Sequence, residues 1–337
     1  MQSPRAILSP ADLTDAEIAQ VLATARALKA EGRPRSARNL RVCGLYFNPS
    51  LRTRVTWEQA AYMLGGFAQT LNAGGDTWKI ELDPGATMDK DSVENVVEAA
   101  GVLGRTFDVV GVRSFPGAGT WDYEKTEPVL QAFARYLGRP LVSLEGTSHH
   151  PCQSLADLLT MYEQFGDLAG MPVVLSWAWH PNPLPMAVPH SFALQAARAG
   201  CDLTIVRPEG YALDEDLMSQ VHAAAARHGR TVKETDDRAA GLAGARVVYV
   251  KSWGRKDLWH NKDAERAGRP ALRDWEFGEA AWAHTDQAKV MHCLPTRRNA
   301  ELSGSILDSD RSLVLEEAEN RLWVQAGLID LLTGGQS

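Results

Sequence analysis

Apolar residues fall along the chain in two recurring patterns. One is the short unbroken run: residues 42–47 (VCGLYF), 109–112, 141–144, 173–177, 203–206 and 247–250. Runs of that length between polar or Gly/Pro segments predict strands buried on both faces. The other is the amphipathic stretch. Thr14-x-x-Glu17 forms a capping box that opens a helix with Ile18, Val21, Leu22, Ala25 and Leu28 on one side, ending near Gly32. Helical patterns also cover 191–199 and 215–228. Leu315, Ala318, Leu322, Ala326 and Ile329 predict a long last helix with that face inward, closed by Gly334 and Gly335. Strands separated by helices predict parallel sheets covered by helices. The expected fold is α/β, with two doubly wound domains, residues 1–148 and 149–310, joined by long helices. Residues 311–337 are expected to form a helix that packs back on the first domain.

Composition narrows the class. The chain has 337 residues, enough for two domains that each bury a core without disulfides or metals. Lys and Arg number 35 against 42 Asp and Glu, a net charge of −7, which argues against a nucleic-acid binder. An anionic ligand would need a local basic pocket. The four cysteines are scattered and form no CxxC pair, so neither a disulfide framework nor a zinc ribbon is expected. No stretch approaches ~18 consecutive apolar residues, so no membrane span is expected. The first residues lack the apolar core of a secretory signal. A cytoplasmic location with reduced thiols is the expectation.

Three segments carry candidate chemistry. In YFNPSLRTRVTWEQ (46–59) a buried strand runs into an Asn48-Pro49 turn, and Ser50 stands at a helix N-cap. A helix start offers unpaired N–H groups to an anion. Arg52 and Arg54 add forked donors, although cations in a first turn oppose the helix dipole by ~0.3–1 kcal/mol. Two cations there suggest that an anion is meant to arrive; an ordinary capped helix with solvated arginines is the alternative. HHPCQS (149–154) follows another strand, where His150 can donate to a carbonyl oxygen and Gln153 can bond an amide. In VMHCLPTRRN (290–299) a short strand is expected to end in His292-Cys293-Leu294-Pro295. Cys293 could be a nucleophile, but neighbours in a strand face opposite ways, so His292 would not activate it. Backbone carbonyls facing a cleft are the preferred reading. A metal site from His149, His150, Cys152, His292 and Cys293 matches no standard zinc spacing. Arg113 and Lys251 each follow an apolar run, and Trp78 stands in a polar, Gly-rich loop.

Ser50-Leu51-Arg52-Thr53-Arg54, His150-Pro151-Cys152-Gln153 and His292-Cys293-Leu294-Pro295, in that order, resemble the three motifs of the aspartate/ornithine carbamoyltransferase family. The loop GGDTWKIE, the segment WAWHPNPLP (177–185) and KSWG (251–254) resemble the branch acting on N-acylated ornithine. The resemblance implies carbamoyl transfer from carbamoyl phosphate to N-acetylornithine or N-succinylornithine in arginine biosynthesis, without metal or organic cofactor, by a homotrimer. It implies that Ser50, Leu51, Arg52 and Thr53 hold the phosphate, with Arg113, His150 and Gln153 around the carbamoyl group and Trp78 donated by the adjacent subunit. Cys293 and Leu294 would present backbone carbonyls, with Arg321 nearby. Glu145, Lys251 and Leu294 would face the acylated ornithine. Two positions depart from the acetylornithine enzymes. Val93 stands where those carry a glutamate, which removes a repulsion against a succinyl carboxylate. Glu301 stands where those can carry a modifiable lysine.

Overall fold

The computed structural model describes residues 5–334, so Gly335, the second half of the expected closing pair, lies outside them. The chain divides into two compact units. One takes the chain up to Gly117, Asp122–Leu155 and everything from Glu319 on; the other takes Ala118–Trp121 and Ala156–Ala318. The short segment Ala118–Trp121 is fixed in the second unit: the Trp121 indole N–H donates to Asp214 at 2.6 Å, and its ring meets Trp259 edge-on at 4.8 Å.

The first unit holds a five-stranded parallel sheet: β1 (Ala6–Ile7), β2 (Arg41–Tyr46), β3 (Phe67–Asn72), β4 (Val109–Arg113) and β5 (Leu141–Glu145). Their order is β1-β5-β4-β2-β3. Chain order reverses between β2 and β4, which makes that gap the switch point where such sheets bind ligands beyond their strand ends. Helix α1 (Asp15–Glu31) starts at the expected capping box, with Thr14 and Glu17 bonded reciprocally, and stops at Gly32 in the left-handed region, φ +63°. Helix α2 (Arg52–Met63) lies close on the sheet because Gly44 and Gly111 are paired across β2 and β4. A Cβ at Gly111 would come within 2.9 Å of the Trp57 ring. Fully buried Trp57 fills that space and donates to the Cys43 carbonyl at 3.0 Å. The indole thereby sets where the first turn of α2 stands.

The second unit repeats the plan with β6 (Pro172–Trp177), β7 (Asp202–Val206), β8 (Lys233–Thr235), β9 (Val247–Lys251) and β10 (Lys289–Met291), ordered β8-β7-β6-β9-β10, all parallel. Its switch point lies between β6 and β9, and Lys251 ends β9 there. Two long helices, α3 (Pro151–Phe165) and α4 (Val314–Leu332), each begin in one unit and finish in the other. From Glu319 onward α4 packs in the first unit, where Asn320 accepts from Lys29 at 2.8 Å and Asp330 pairs with Arg38 at 2.6 Å.

Three expectations are corrected. The first half of α4 departs from the expected stripe: Leu315 is 73% exposed and Ala318 and Leu322 are half-buried, while Ala326 and Ile329 are buried as expected, along with Glu317, Asn320, Arg321 and Gln325. Apolar spacing misplaced that half because its buried side carries the hydrogen-bonded polar groups of Glu317, Asn320 and Arg321. The last strand stops at Met291, so His292 already belongs to a turn. Helix α2 begins at Arg52 with Leu51 at the cap position, yet Ser50 Oγ still accepts the Thr53 N–H at 3.2 Å. The half-exposed β3 and the edge strand β8 lack a continuous apolar run and were not expected.

Candidate active site

Four elements of the first unit bring charge to the β2/β4 switch point. The end of β2 and the start of α2 supply Ser50, Arg52 and Thr53; Arg113 closes β4, Glu145 closes β5, and His150 precedes α3. A loop bond holds the two strand ends together: the Phe115 N–H donates to Asn48 Oδ1 at 2.7 Å. From α4, Arg321 donates to Thr53 Oγ1 at 2.5 Å. Arg113 is ion-paired with Glu145, and His150 Nε2 lies 3.6 Å from the same carboxylate. Burial holds the His150 pKa well below the ordinary imidazole range, and Arg321, Arg113 and Arg52 push it further in that direction. His150 is therefore a neutral hydrogen-bonding group at pH 7. Three guanidiniums against one carboxylate leave two positive charges around it. Arg113 Nε and Arg321 Nε are buried donors with no acceptor among the described residues. Buried cationic donors of that kind suit a dianion such as a phosphate.

The loop before His150 is clamped from below. Glu127 accepts the N–H groups of Thr147 at 2.9 Å and Ser148 at 2.7 Å. Burial pushes its carboxyl up to about 7 against those bonds. Burial likewise pushes His149 down to about 4. Cys152 Sγ points to the Ser143 carbonyl at 3.6 Å, and burial drives its thiol up to about 12, so it is inert packing.

In the second unit the candidate residues stand on the turns after β9 and β10. Lys251 is buried, with Nζ 3.1 Å from the Ser252 carbonyl. The turn at 292–295 has Leu294 at φ +51° and a cis Leu294–Pro295 peptide. His292 Nδ1 accepts the Leu294 N–H at 2.8 Å, so its proton sits on Nε2. Nε2 faces Glu301 Oε1 at 3.2 Å. Glu301 also accepts the Ser252 N–H at 3.1 Å and the Arg297 N–H at 3.3 Å. Burial pushes the Glu301 carboxyl up, but His292, Lys251 and His180 outweigh it and hold the group well below the usual carboxylate range. His292 is thus committed to Leu294 and Glu301 rather than to activating the half-buried Cys293. Trp78 and Val93 are 69% and 62% exposed. Among the described residues no cluster of three or more His, Cys, Asp or Glu is placed to hold a metal ion, and no helix is long and apolar enough to cross a membrane.

Two family models cover nearly the whole chain. Residues 5–163 match the aspartate/ornithine carbamoyltransferase carbamoyl-P binding domain, and residues 186–332 match the Asp/Orn binding domain of the same family. The chain belongs to the aspartate/ornithine carbamoyltransferase family. The N-acetylornithine carbamoyltransferase of Xanthomonas campestris pv. campestris is 38% identical over 330 residues, 97% of each chain. A crystal structure of acetylornithine transcarbamylase complexed with acetylcitrulline has a TM-score of 0.93 and 37% identity, covering 97% of this chain and 99% of that one. A Glu-to-Val mutant of N-acetyl-L-ornithine transcarbamylase, complexed with carbamyl phosphate and N-succinyl-L-norvaline, matches with the same TM-score, identity and coverage.

For a carbamoyltransferase the two clusters divide by material. The first unit offers fixed positive charge and a neutral imidazole. The second offers turns of backbone anchored on buried carboxylates. Sequence reasoning found the residues on the turns but not most of what lies under them. Glu127, Glu317, Asp157 and Tyr249 were missed. For Glu317 a signal existed: it lies four and seven positions before Arg321 and Val324, on one helical stripe.

Proposed function

We propose that this enzyme transfers the carbamoyl group of carbamoyl phosphate to the δ-amine of N-acetylornithine, giving N-acetylcitrulline and phosphate, in cytoplasmic arginine biosynthesis. The observation that carries the reading is the excess positive charge of Arg52, Arg113 and Arg321 around a neutral His150. The first turn of α2, with Ser50, Leu51, Arg52 and Thr53, holds the phosphate, and Arg321 orients Thr53. Arg113, His150 and Gln153 surround the carbamoyl group. The acceptor is a Lys-like amine with a solution pKa near 10.4, so it must lose a proton to attack. Backbone carbonyls at Cys293 and Leu294 receive its N–H groups, and Glu145, Lys251 and Leu294 face the rest of the acceptor. Attack forms the C–N bond and puts negative charge on the carbamoyl oxygen. Arg113, Thr53 and His150 stabilise that oxyanion, each such donor being worth ~2.7–4 kcal/mol. The first proton leaves to solvent before attack; the C–O bond to phosphate then breaks, and the departing phosphate takes the second proton from the newly bonded, cationic nitrogen. No covalent enzyme intermediate and no cofactor is needed. The working form is a homotrimer. Exposed apolar groups on the first unit, Leu51, Val55, Tyr62, Phe67 and Trp78, supply its contact surface, and Trp78 reaches the neighbouring subunit's site.

One observation favours a second reading, N-succinylornithine as acceptor. Val93 puts an uncharged side chain where the resemblance places a glutamate, and the Glu-to-Val mutant mentioned above carries N-succinyl-L-norvaline. Assaying carbamoyl phosphate with ornithine, N-acetylornithine and N-succinylornithine side by side separates the readings. N-acetylornithine is expected to give the highest kcat/KM. A higher value for the succinyl compound moves the assignment to it, and turnover of ornithine alone sinks both. Binding of carbamoyl phosphate with no phosphate released on addition of any of the three amines would leave only an anion-binding module.

A further inference from the structure

Beneath the 292–295 turn lies a cluster that the transfer mechanism does not use. Asp157 of α3, Glu317 of α4, Tyr249 of β9 and His292 are all buried. Glu317 Oε2 accepts the His292 N–H at 2.9 Å, and Glu317 Oε1 accepts the Tyr249 hydroxyl at 3.2 Å. The same carboxyl is hydrogen-bonded to Asp157. One side chain therefore ties four elements together at the strand-end edge of the second sheet.

Two carboxyl groups in contact in a dry interior cannot both ionise, so the pair holds one proton. Burial first, and then Asp157, hold the Glu317 carboxyl well above the usual range. A buried pair of this kind is not a gain in stability over apolar packing, which invites a role other than stability. The backbone above it supplies one. Leu294 lies in the left-handed region, a conformation that costs a non-glycine residue about 1–3 kcal/mol and persists only where the surroundings over-determine it. Two bonds do so in series: Leu294 N–H to His292 Nδ1, and His292 N–H to Glu317. Tyr249 lies two residues before Lys251 on β9, so the same carboxyl also holds the strand that ends in Lys251.

We propose that Glu317, held by Asp157, is the positioning residue of the acceptor side: it fixes His292 to Leu294 in the one geometry that receives the attacking amine. This rests on the proposed roles of Cys293 and Leu294.

The test uses full-length enzyme and whichever of the three acceptors the wild type carbamoylates fastest. A wrong acceptor assignment then shows in the wild type, and a wrong positioning role shows in the variant-to-wild-type ratio. Glu317→Ala is expected to lower kcat roughly 10- to 100-fold, as a turn misplaced by about 1 Å would, and to raise the acceptor KM. The carbamoyl phosphate KM should stay within about 3-fold, since the phosphate ligands lie elsewhere. Glu317→Gln keeps an acceptor for the His292 N–H and offers an amide N–H to Asp157, so it is expected to recover most of kcat. If Glu317→Ala does not fold, Glu317→Leu fills the same volume without an acceptor and carries the comparison. Folded Ala or Leu variants with wild-type kcat overturn the proposal. So does a Gln variant as impaired as the Ala variant, or a carbamoyl phosphate KM that shifts as much as that of the acceptor.

Discussion

The two units present their candidate residues at equivalent places, the strand ends beside a reversal of strand order, yet they build them from opposite materials. In the first unit the working groups are charged side chains: Arg52, Arg113 and Arg321 converge on His150, and the glycine pair under Trp57 sets the helix start that carries one of them. In the second unit the proposed acceptor surface is backbone, and charged side chains anchor it, Glu301 and Glu317 both meeting His292. A dianionic donor is recognised by charge, which a side chain supplies. A neutral amine about to lose a proton is recognised by acceptors in fixed directions, which a held turn supplies.

This contrast predicts where single substitutions hurt most. Arg52→Ala removes a proposed phosphate ligand, and charged phosphate contacts are worth several kcal/mol. The rate should fall by more than ~100-fold in steady-state assays. Near-normal turnover would break the first half of the comparison, because it would mean the basic cluster is not where the donor binds.

The first unit also stores opposed titrations under its loop, and one variant separates them. His149 is pushed down to about 4 by burial. Its unfolded form binds a proton near pH 6.5, so its contribution to stability is full above that pH and is lost as pH falls toward 4. His150 acts in the same direction. Glu127, pushed up to about 7, acts in the opposite one: its contribution is present at low pH and is lost as pH rises through 7. The wild type therefore shows only part of either effect. His149→Gln removes one of them. Its destabilisation, measured by urea unfolding, should shrink by about 3 kcal/mol between pH 7.5 and pH 4. A pH-independent cost would show that the His149 ring is not held neutral by the fold.

Much of this architecture is legible in the sequence. All six apolar runs appear as strands, and each of the three motifs follows a strand in the structure, because apolar runs and capping residues act locally. Legibility ends where polar groups are buried. In the last helix the expected stripe holds at Ala326 and Ile329 but fails at Leu315, because buried Glu317, Asn320 and Arg321 occupy inward positions that a hydrophobic stripe would claim. Strand β3 hides for the converse reason: its side chains are half-exposed, and what holds it is pairing with β2 over six residues. Glu301 drew notice only through a resemblance. Its contacts with Ser252 and His292 span 49 and nine positions of chain, and no local pattern encodes them.

The smallest effect tests the second half of the comparison. Cys293 stands on the surface of the acceptor turn, and by residue type alone it invites a nucleophilic role. The adjacent imidazole is not free to serve as its base: it is occupied on Nδ1 by the Leu294 N–H and faces Glu301 through Nε2. If the turn contributes its carbonyls, the thiol is dispensable, since every residue but proline offers the same backbone. Cys293→Ala should then change kcat and both KM values by no more than about 2-fold, the scale of a substitution that removes no anchoring bond. Mild thiol modification should track the bulk of the reagent, a small methylthio group, attached as a disulfide, leaving activity intact and a large alkyl group blocking the acceptor. Loss of turnover in Cys293→Ala with unchanged folding would mean that this turn works through its side chain after all. The two units would then differ in charge but not in the kind of group they use.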